Sequence, residues 1–290
     1  MVADCQQQPK PGCRAGHLGV MALITLLVTA CAAPPPALPP LQTGTTLLPG
    51  KVIWHDLVTP DMDQAKAFYG ELFGWTFEDV ASGYALALNG TRPVAGIAKL
   101  NSAWDASYWI PLVSVPNVDA AAQGTERAGG EILREPFDLV GRGRVAVVRD
   151  PQGAVFAMVH NDRGDPADST AGMNEWFWNE IWSDDVASSA AFYTDLVGYR
   201  QLERTVDGTP YLFLAREGKP RVGLVQKPDP QIGNTWVAYL RVADAAAVTG
   251  KVESLGGRVL LAPQAEFRNG TLGILADPQG AGFVVQERMQ

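Results

Sequence analysis

The sequence predicts an α+β protein of four βαβββ modules, arranged as two tandem pairs. Two observations carry that prediction. The first is an internal repeat: AKAFYGELFGW at residues 65–75 returns as SAAFYTDLVGY at residues 189–199. Trp109 then answers to Trp236, Gly129-Gly130 to Gly256-Gly257, and Asp150-Pro151-Gln152-Gly153-Ala154 to Asp277-Pro278-Gln279-Gly280-Ala281. Phe68 and Phe192 lie 124 positions apart and the other three pairs 127, so one domain was duplicated with little insertion between the copies. The second observation is that a strand pattern twice gives way to a helical period within each copy and then returns.

The elements follow in order. Residues 51–58 alternate apolar and polar with β-branched members, a strand signal. Asp61 offers a helix N-cap, with Gln64 in capping-box position. Ala65, Phe68, Tyr69 and Leu72 share one helical face and read as core, and Gly74 supplies the stop. The second copy repeats this with Asp185, then Phe192, Tyr193 and Leu196, then Gly198. Short strands follow at 84–88 and 93–100. The second module opens with a strand at 108–115 and a helix at 118–128 closed by Gly129-Gly130, and strands at 142–149 and 154–160 end the copy. Asp150-Pro151-Gln152-Gly153 between the last two is a type I turn, with Asp first, Pro fixing φ and Gly last. Trp104, in the polar loop 101–107, is a cleft rim or an inter-domain contact.

The ends read differently. Lys10 and Arg14 precede an apolar run over 18–30, too short to span a bilayer comfortably. That run ends in Val28-Thr29-Ala30-Cys31, which resembles the lipobox of bacterial lipoproteins, cut before the cysteine and lipidated on it. Residues 1–30 are therefore expected to be a signal peptide, and 31–50 the lipidated Cys31 and a Pro-rich tether. The first domain is placed at 51–160, a linker at 161–173 and the second domain at 174–288. Cys5 and Cys13 fall in the removed segment, so the mature chain has no free pair for a disulfide. The address expected is the cell envelope, facing the periplasm, on the outer membrane rather than the inner. The formal charge is −8, and removing Lys10, Arg14 and Asp4 leaves −9. No basic run offers a footprint for nucleic acid, and the membrane is reached through lipid alone.

Paired βαβββ modules, Ala-x-Phe-Tyr-x-x-Leu-x-Gly-aromatic on the first helix and Asp-Pro-x-Gly before the last strand resemble the vicinal oxygen chelate superfamily. That group includes glyoxalase, bleomycin-resistance proteins and extradiol dioxygenases. The resemblance implies that each pair curls a mixed sheet around a cleft. In metal-using members a His in a module's first strand and a Glu in its last hold a divalent ion. Here the first-strand positions are Trp54 and Trp178, with Ile110 and Val237 in the second modules, and the last-strand positions are Ala157 and Val284. Copy one has no carboxylate between Val80 and Asp105, and copy two has only Glu217, beside a turn. His55 and His160 lie out of phase with the cleft. Neither a metal nor another cofactor is expected.

The cleft-facing phase of the first strand is Trp54, Asp56 and Val58 in copy one, and Trp178, Glu180 and Trp182 in copy two. Leu112 and Ser114 add to the first cleft, Tyr239 and Arg241 to the second, where Glu180 and Arg241 could pair across it. Trp54, Asp56, Trp178, Glu180, Trp182, Tyr239 and Arg241 thus suit an aromatic-walled small-molecule site. Asp56 and Glu180 are the candidate general bases. Alternatively the indoles fill a barrel that has lost its metal, and the acids satisfy local donors. Three functions follow: a metal-free envelope protein binding a small aromatic or amphipathic molecule; a glyoxalase-like lyase, isomerase or dioxygenase with a non-standard site; or an envelope interaction module. A monomer is expected, its domains pairing internally as single-domain relatives do between chains.

Overall fold

The computed structural model describes residues 38–41, 44–100, 106–206 and 208–287. The expected signal peptide, Cys31 and Trp104 lie outside them. The first module is β1 (Val52–Thr59), α1 (Met62–Phe73), β2 (Thr76–Ala81), β3 (Tyr84–Asn89) and β4 (Arg92–Lys99). The second is β5 (Tyr108–Ser114), α2 (Val118–Arg127), β6 (Glu131–Leu139), β7 (Gly143–Arg149) and β8 (Val155–His160). The other domain repeats the order with β9 (Trp176–Ser183), α3 (Val186–Val197), β10 (Arg200–Val206), β11 (Thr209–Arg216) and β12 (Lys219–Gln226). It continues with β13 (Thr235–Arg241), α4 (Ala245–Val252), β14 (Arg258–Leu261), β15 (Leu272–Ala276) and β16 (Gly282–Gln286).

Each domain is one mixed sheet of eight strands, ordered β2-β3-β4-β1-β5-β8-β7-β6 and β10-β11-β12-β9-β13-β16-β15-β14. First strands of paired modules meet antiparallel at the centre, and each lies parallel to the last strand of its own module. The expected α+β architecture of paired modules is what forms. Asp61 and Asp185 cap α1 and α3, accepting from the backbone N–H of Gln64 and Ser188 at 3.0 Å. Gly74 and Gly198 end these helices in the left-handed region. The reciprocal arm of the capping box is not made, because the Gln64 side chain turns instead to Gln279 of the other domain.

That turn away from its own helix reflects how the domains meet. The convex faces of the two sheets carry the helices, and the helices face each other, α1 toward α4 and α2 toward α3. One core joins α1 and Leu57, Ala85 and Ile97 of the first sheet to Leu240, Leu275 and Phe283 of the second. A second core joins α2, Val113 and Phe156 to Ile181, Phe192 and Leu214.

The repeated residues lock this interface. Tyr193 Oη donates to Asp150 Oδ2 at 2.8 Å, and its twin Tyr69 donates to Asp277 Oδ2 at 3.3 Å. Trp236 and Trp109 donate their indole N–H to those same hydroxyls at 2.9 and 2.8 Å. Both tyrosines are fully buried. The Asp-Pro-Gln-Gly turns hold themselves as expected, Asp150 Oδ1 accepting from the N–H of Gln152 and Ala154. They then reach across: Gln152 Oε1 accepts from Ser183 Oγ at 2.6 Å, and Gln279 Oε1 from Thr59 Oγ1 at 3.0 Å.

Candidate functional site

The concave faces remain, and each has its own apolar lining. Trp54, Ile110, Leu112 and Ala157 lie together with Tyr84 and Leu86 in the first, and Trp178, Trp182, Val237, Tyr239 and Val284 with Tyr211 and Phe213 in the second. Trp54 and Leu112 of the expected first cleft, and Trp178, Trp182 and Tyr239 of the second, fall in these linings. Residues at the metal-ligand positions of the chelating relatives have no donor to offer, so this chain does not fit a bound divalent ion there. Glu217 sits at positive φ in the β11–β12 turn. Among the described residues no three His, Cys, Asp or Glu side chains gather to hold a metal.

His55 lies on the opposite face, as its phase demands. It is buried, with Nε2 2.8 Å from Asn179 Oδ1 and its ring 5.0 Å from that of Trp176. Burial pushes the imidazole down to about 4, against the opposing hydrogen bond with Asn179, so it is neutral near pH 7. His160 Nδ1 is 3.0 Å from the Val115 carbonyl.

In the second domain Glu180, 4% exposed, is enclosed by donors. Tyr211 Oη donates to its Oε1 at 2.6 Å, Trp182 Nε1 to its Oε2 at 2.9 Å, and Tyr239 Oη also to Oε2. Trp178 Nε1 donates to the Tyr211 hydroxyl at 3.0 Å. Burial first, and the carboxylate charge second, push both phenols well above the usual tyrosine range. Glu180 therefore stands as a fixed acceptor, and a substrate would have to displace a tyrosine or Trp182 to use it as a base.

Arg241 is not brought to Glu180. Its backbone N–H bonds the carbonyl of Glu175, whereas Glu180 lies opposite Val237. Arg241 lies four positions beyond Val237 on β13, about 13 Å along the strand. The Arg241 side chain instead donates to the Ala171 carbonyl at 2.7 Å, and the expected ion pair is not among those of the described residues. Ser114 also turns to the linker, donating to Asp165 Oδ2 at 2.6 Å.

The first domain builds a more open version of the cluster. Asp56 Oδ1 accepts from Tyr84 Oη at 2.6 Å and Trp54 Nε1 at 2.8 Å. Arg142, in the β6–β7 turn and 2% exposed, reaches over the cleft. Its Nη2 donates to Tyr84 Oη at 3.3 Å, and its guanidinium lies 4.4 Å from the centre of the Trp54 ring. Gly96 stands opposite Asp56 and Gly223 opposite Glu180. A Cβ at either would fall within 2 Å of the Tyr84 or Tyr211 hydroxyl, so only glycine admits the tyrosine beside the acid.

Sequence reasoning missed Tyr84, Tyr211, Gly96, Gly223 and Arg142. Tyr84 and Tyr211 lie 127 positions apart, as do Gly96 and Gly223. The offset that exposed the repeat was therefore enough to find them. Arg142 has only an approximate twin, Arg268, whose guanidinium lies 5.5 Å from the Tyr211 ring.

A cavity of about 340 Å³ is lined by residues of both β1 and β9, with Trp54, Trp178 and Arg142 in its walls. Residues 38–41 form part of its cover: Leu38 and Leu41 are buried in the first concave face, and the Leu38 N–H bonds the Val140 carbonyl at 2.9 Å. Neither Asp56 nor Glu180 is among the cavity's lining residues, and its indole walls and buried guanidinium suit recognition of a small organic molecule.

Comparison with known proteins agrees with this geometry. Residues 51–158 match the glyoxalase/bleomycin resistance protein/dioxygenase superfamily, and residues 180–286 match the glyoxalase-like domain. The glyoxylase candidate CFP32 of Mycobacterium tuberculosis is 31% identical over 241 residues, covering 80% of this chain and 92% of that protein. The anthracycline biosynthesis protein DnrV of Streptomyces peucetius is 29% identical over 266 residues, covering 84% and 95%. Among solved structures, the Mn(II)-bound glyoxalase from Novosphingobium aromaticivorans shares the fold, with a TM-score of 0.57 at 15% identity and 83% of each chain covered. A variant of homoprotocatechuate 2,3-dioxygenase from B. fuscum does so with a TM-score of 0.56 at 14% identity, over 87% of this chain and 74% of that one. The chain belongs to the glyoxalase/bleomycin resistance protein/dioxygenase superfamily, as a member with two tandem domains.

Proposed function

We propose that this protein binds a small aromatic or amphipathic molecule without a metal, at the bacterial cell envelope. The observation that carries the reading is the cleft floor: Trp54, Ile110 and Ala157, at the positions the family resemblance marks for ligands, lie in an apolar lining, and Asp56 beside them is held by a phenol and an indole. One relative is named for anthracycline biosynthesis, which is consistent with a family member handling small organic molecules. The direct test is tryptophan fluorescence and thermal stability of the purified protein across a panel of aromatic and amphipathic compounds. Saturable quenching with a raised Tm supports the reading. A flat response across the panel, stoichiometric metal, or a Tm that falls with chelator overturns it.

The envelope address rests on Lys10, Arg14, the apolar run and Cys31. Palmitate labelling in a bacterial host, lost in Cys31→Ala, tests the lipid, and fractionation tests the outer membrane over the inner. The same reading makes the chain a monomer that binds no nucleic acid, and light scattering checks the mass. A second reading is favoured by the name of the mycobacterial relative, which is glyoxylase-like turnover. Asp56 is then the base to examine, since both its hydrogen bonds fall on Oδ1. Activity surviving both Asp56→Ala and Glu180→Ala removes that mechanism.

A further inference from the structure

We propose that the cavity beside the first domain is a carboxylate site, in which Arg142 takes the anionic group of an organic acid and Trp54 packs against its apolar body. The proposal rests on the binding function above and names its ligand class. Arg142 is almost fully buried, yet its Nε and Nη1 find no hydrogen-bond partner among the described residues. A buried guanidinium is normally paired, because removing a charge from water is costly unless an opposite charge receives it. Here the one hydrogen bond goes to a neutral hydroxyl, that of Tyr84.

The other cations lining the cavity do have partners. Lys51 and Arg221 share Asp168 at 3.2 and 2.7 Å, and Arg92 reaches Glu175 at 3.2 Å. Among the described residues no carboxylate lies in ion-pair reach of Arg142, and Asp56 is linked to it only through the Tyr84 hydroxyl. Four cations against two carboxylates leave this cavity positive within a chain of formal charge −8. The excess sits on the guanidinium with two idle donors. The surrounding wall is apolar: Pro39, Pro40, Leu41, Leu86 and Val94 join Trp54. An apolar body ending in one carboxylate matches both halves of that lining.

The test is calorimetric titration of the purified protein with 2-naphthoate and with 2-naphthamide, its neutral isostere. The same titrations are run on Arg142→Met, which keeps an unbranched side chain and removes the charge. A charge-assisted hydrogen bond predicts an acid preference of about 10- to 100-fold in the wild type, lost in the variant. Equal binding of acid and amide by the wild type overturns the carboxylate assignment and leaves the binding function standing. A preference that survives in Arg142→Met moves the anion to Lys51, Arg92 or Arg221 and also overturns it. Failure of 2-naphthoate to bind the wild type overturns it as well, and the wider ligand panel then decides the binding function separately. The wild-type comparison needs no variant, so a poorly folding Arg142→Met does not shield the proposal.

Discussion

Replacing Tyr193 by Phe removes one oxygen atom from the interface between the domains, and the structure sets what that costs. The Tyr193 hydroxyl donates to Asp150 at 2.8 Å and accepts from Trp236 at 2.9 Å. Asp150 is 3% exposed. Phe leaves a buried carboxylate oxygen without its donor and an indole N–H without its acceptor. A hydrogen bond to a charged group is worth about 1.5–3 kcal/mol, and the orphaned indole adds to this, so Tyr193→Phe should cost about 3 kcal/mol. For a folded unit of this size that corresponds to a Tm lowered by roughly 6–12 °C. The twin substitution is the internal control. Tyr69 reaches Asp277 at 3.3 Å, a longer and weaker bond, so Tyr69→Phe should cost less, about 2 kcal/mol. Urea unfolding of the two variants, with the Tyr193→Phe/Asp150→Asn double mutant closing the cycle, measures both terms. Equal costs, or a coupling below about 0.5 kcal/mol, would refute the view that these repeated residues weld one domain to the other.

Further predictions follow from the same contacts. His55 has its folded value pushed from 6.5 to about 4 by burial, so it supports the fold above pH 6.5 and that support is lost as pH falls toward 4. The change amounts to about 3 kcal/mol, and His55→Gln should flatten the stability curve over that window. Asp150 and Asp277 have the opposite sign: burial raises both, so stability falls as pH rises from 3.8 through their folded values. Asp150→Asn should remove its share of that fall in melts taken between pH 3 and 6. Gly96→Ala drives a methyl group into Tyr84 and Asp56, costing about 2 kcal/mol and shifting tryptophan emission to the red. Leu41→Ala empties part of the cover over the first cleft, costing about 2–3 kcal/mol and raising acrylamide quenching of Trp54.

How much of this was legible in the chain depends on which face a residue serves. Inner strands and helices were readable because one face of each is apolar and buried, giving periods of two and of 3.6. The outermost strands β2, β6, β10 and β14 had no bounds from sequence. Thr76–Ala81 and Arg200–Val206 have no buried residue, so hydrogen bonding to one neighbour rather than burial defines them. The cleft phase Trp54-Asp56-Val58 followed from alternation alone. Arg241 did not pair with Glu180, because alternation fixes the face and not the level, and Arg241 lies four positions beyond Val237, the residue opposite Glu180. Arg142 was hidden because its role depends on a turn folding over a strand almost ninety residues away, which no local pattern encodes.

Duplication separates two demands that a single domain would mix. Tyr69, Tyr193, Asp150 and Asp277 recur because each copy supplies the tyrosine that the other copy's turn requires, so agreement between twins reports the shared interface. The concave faces carry no such cross-requirement, and there the twins have parted. Where the second domain has Trp182 and Tyr239, both donating to Glu180, the first has Val58 and Leu112, which have no polar hydrogen to give. Its acid is shorter by one methylene and accepts from one phenol and one indole. The donors withdrawn from Asp56 are matched by the arrival of Arg142 above Trp54, with Nε and Nη1 left without a partner among the described residues. One cleft has thus closed on its own carboxylate while the other has kept unpaired charge beside a cavity. Unpaired buried charge is retained at a cost to stability, and a ligand of opposite charge is the physical reason that offsets it.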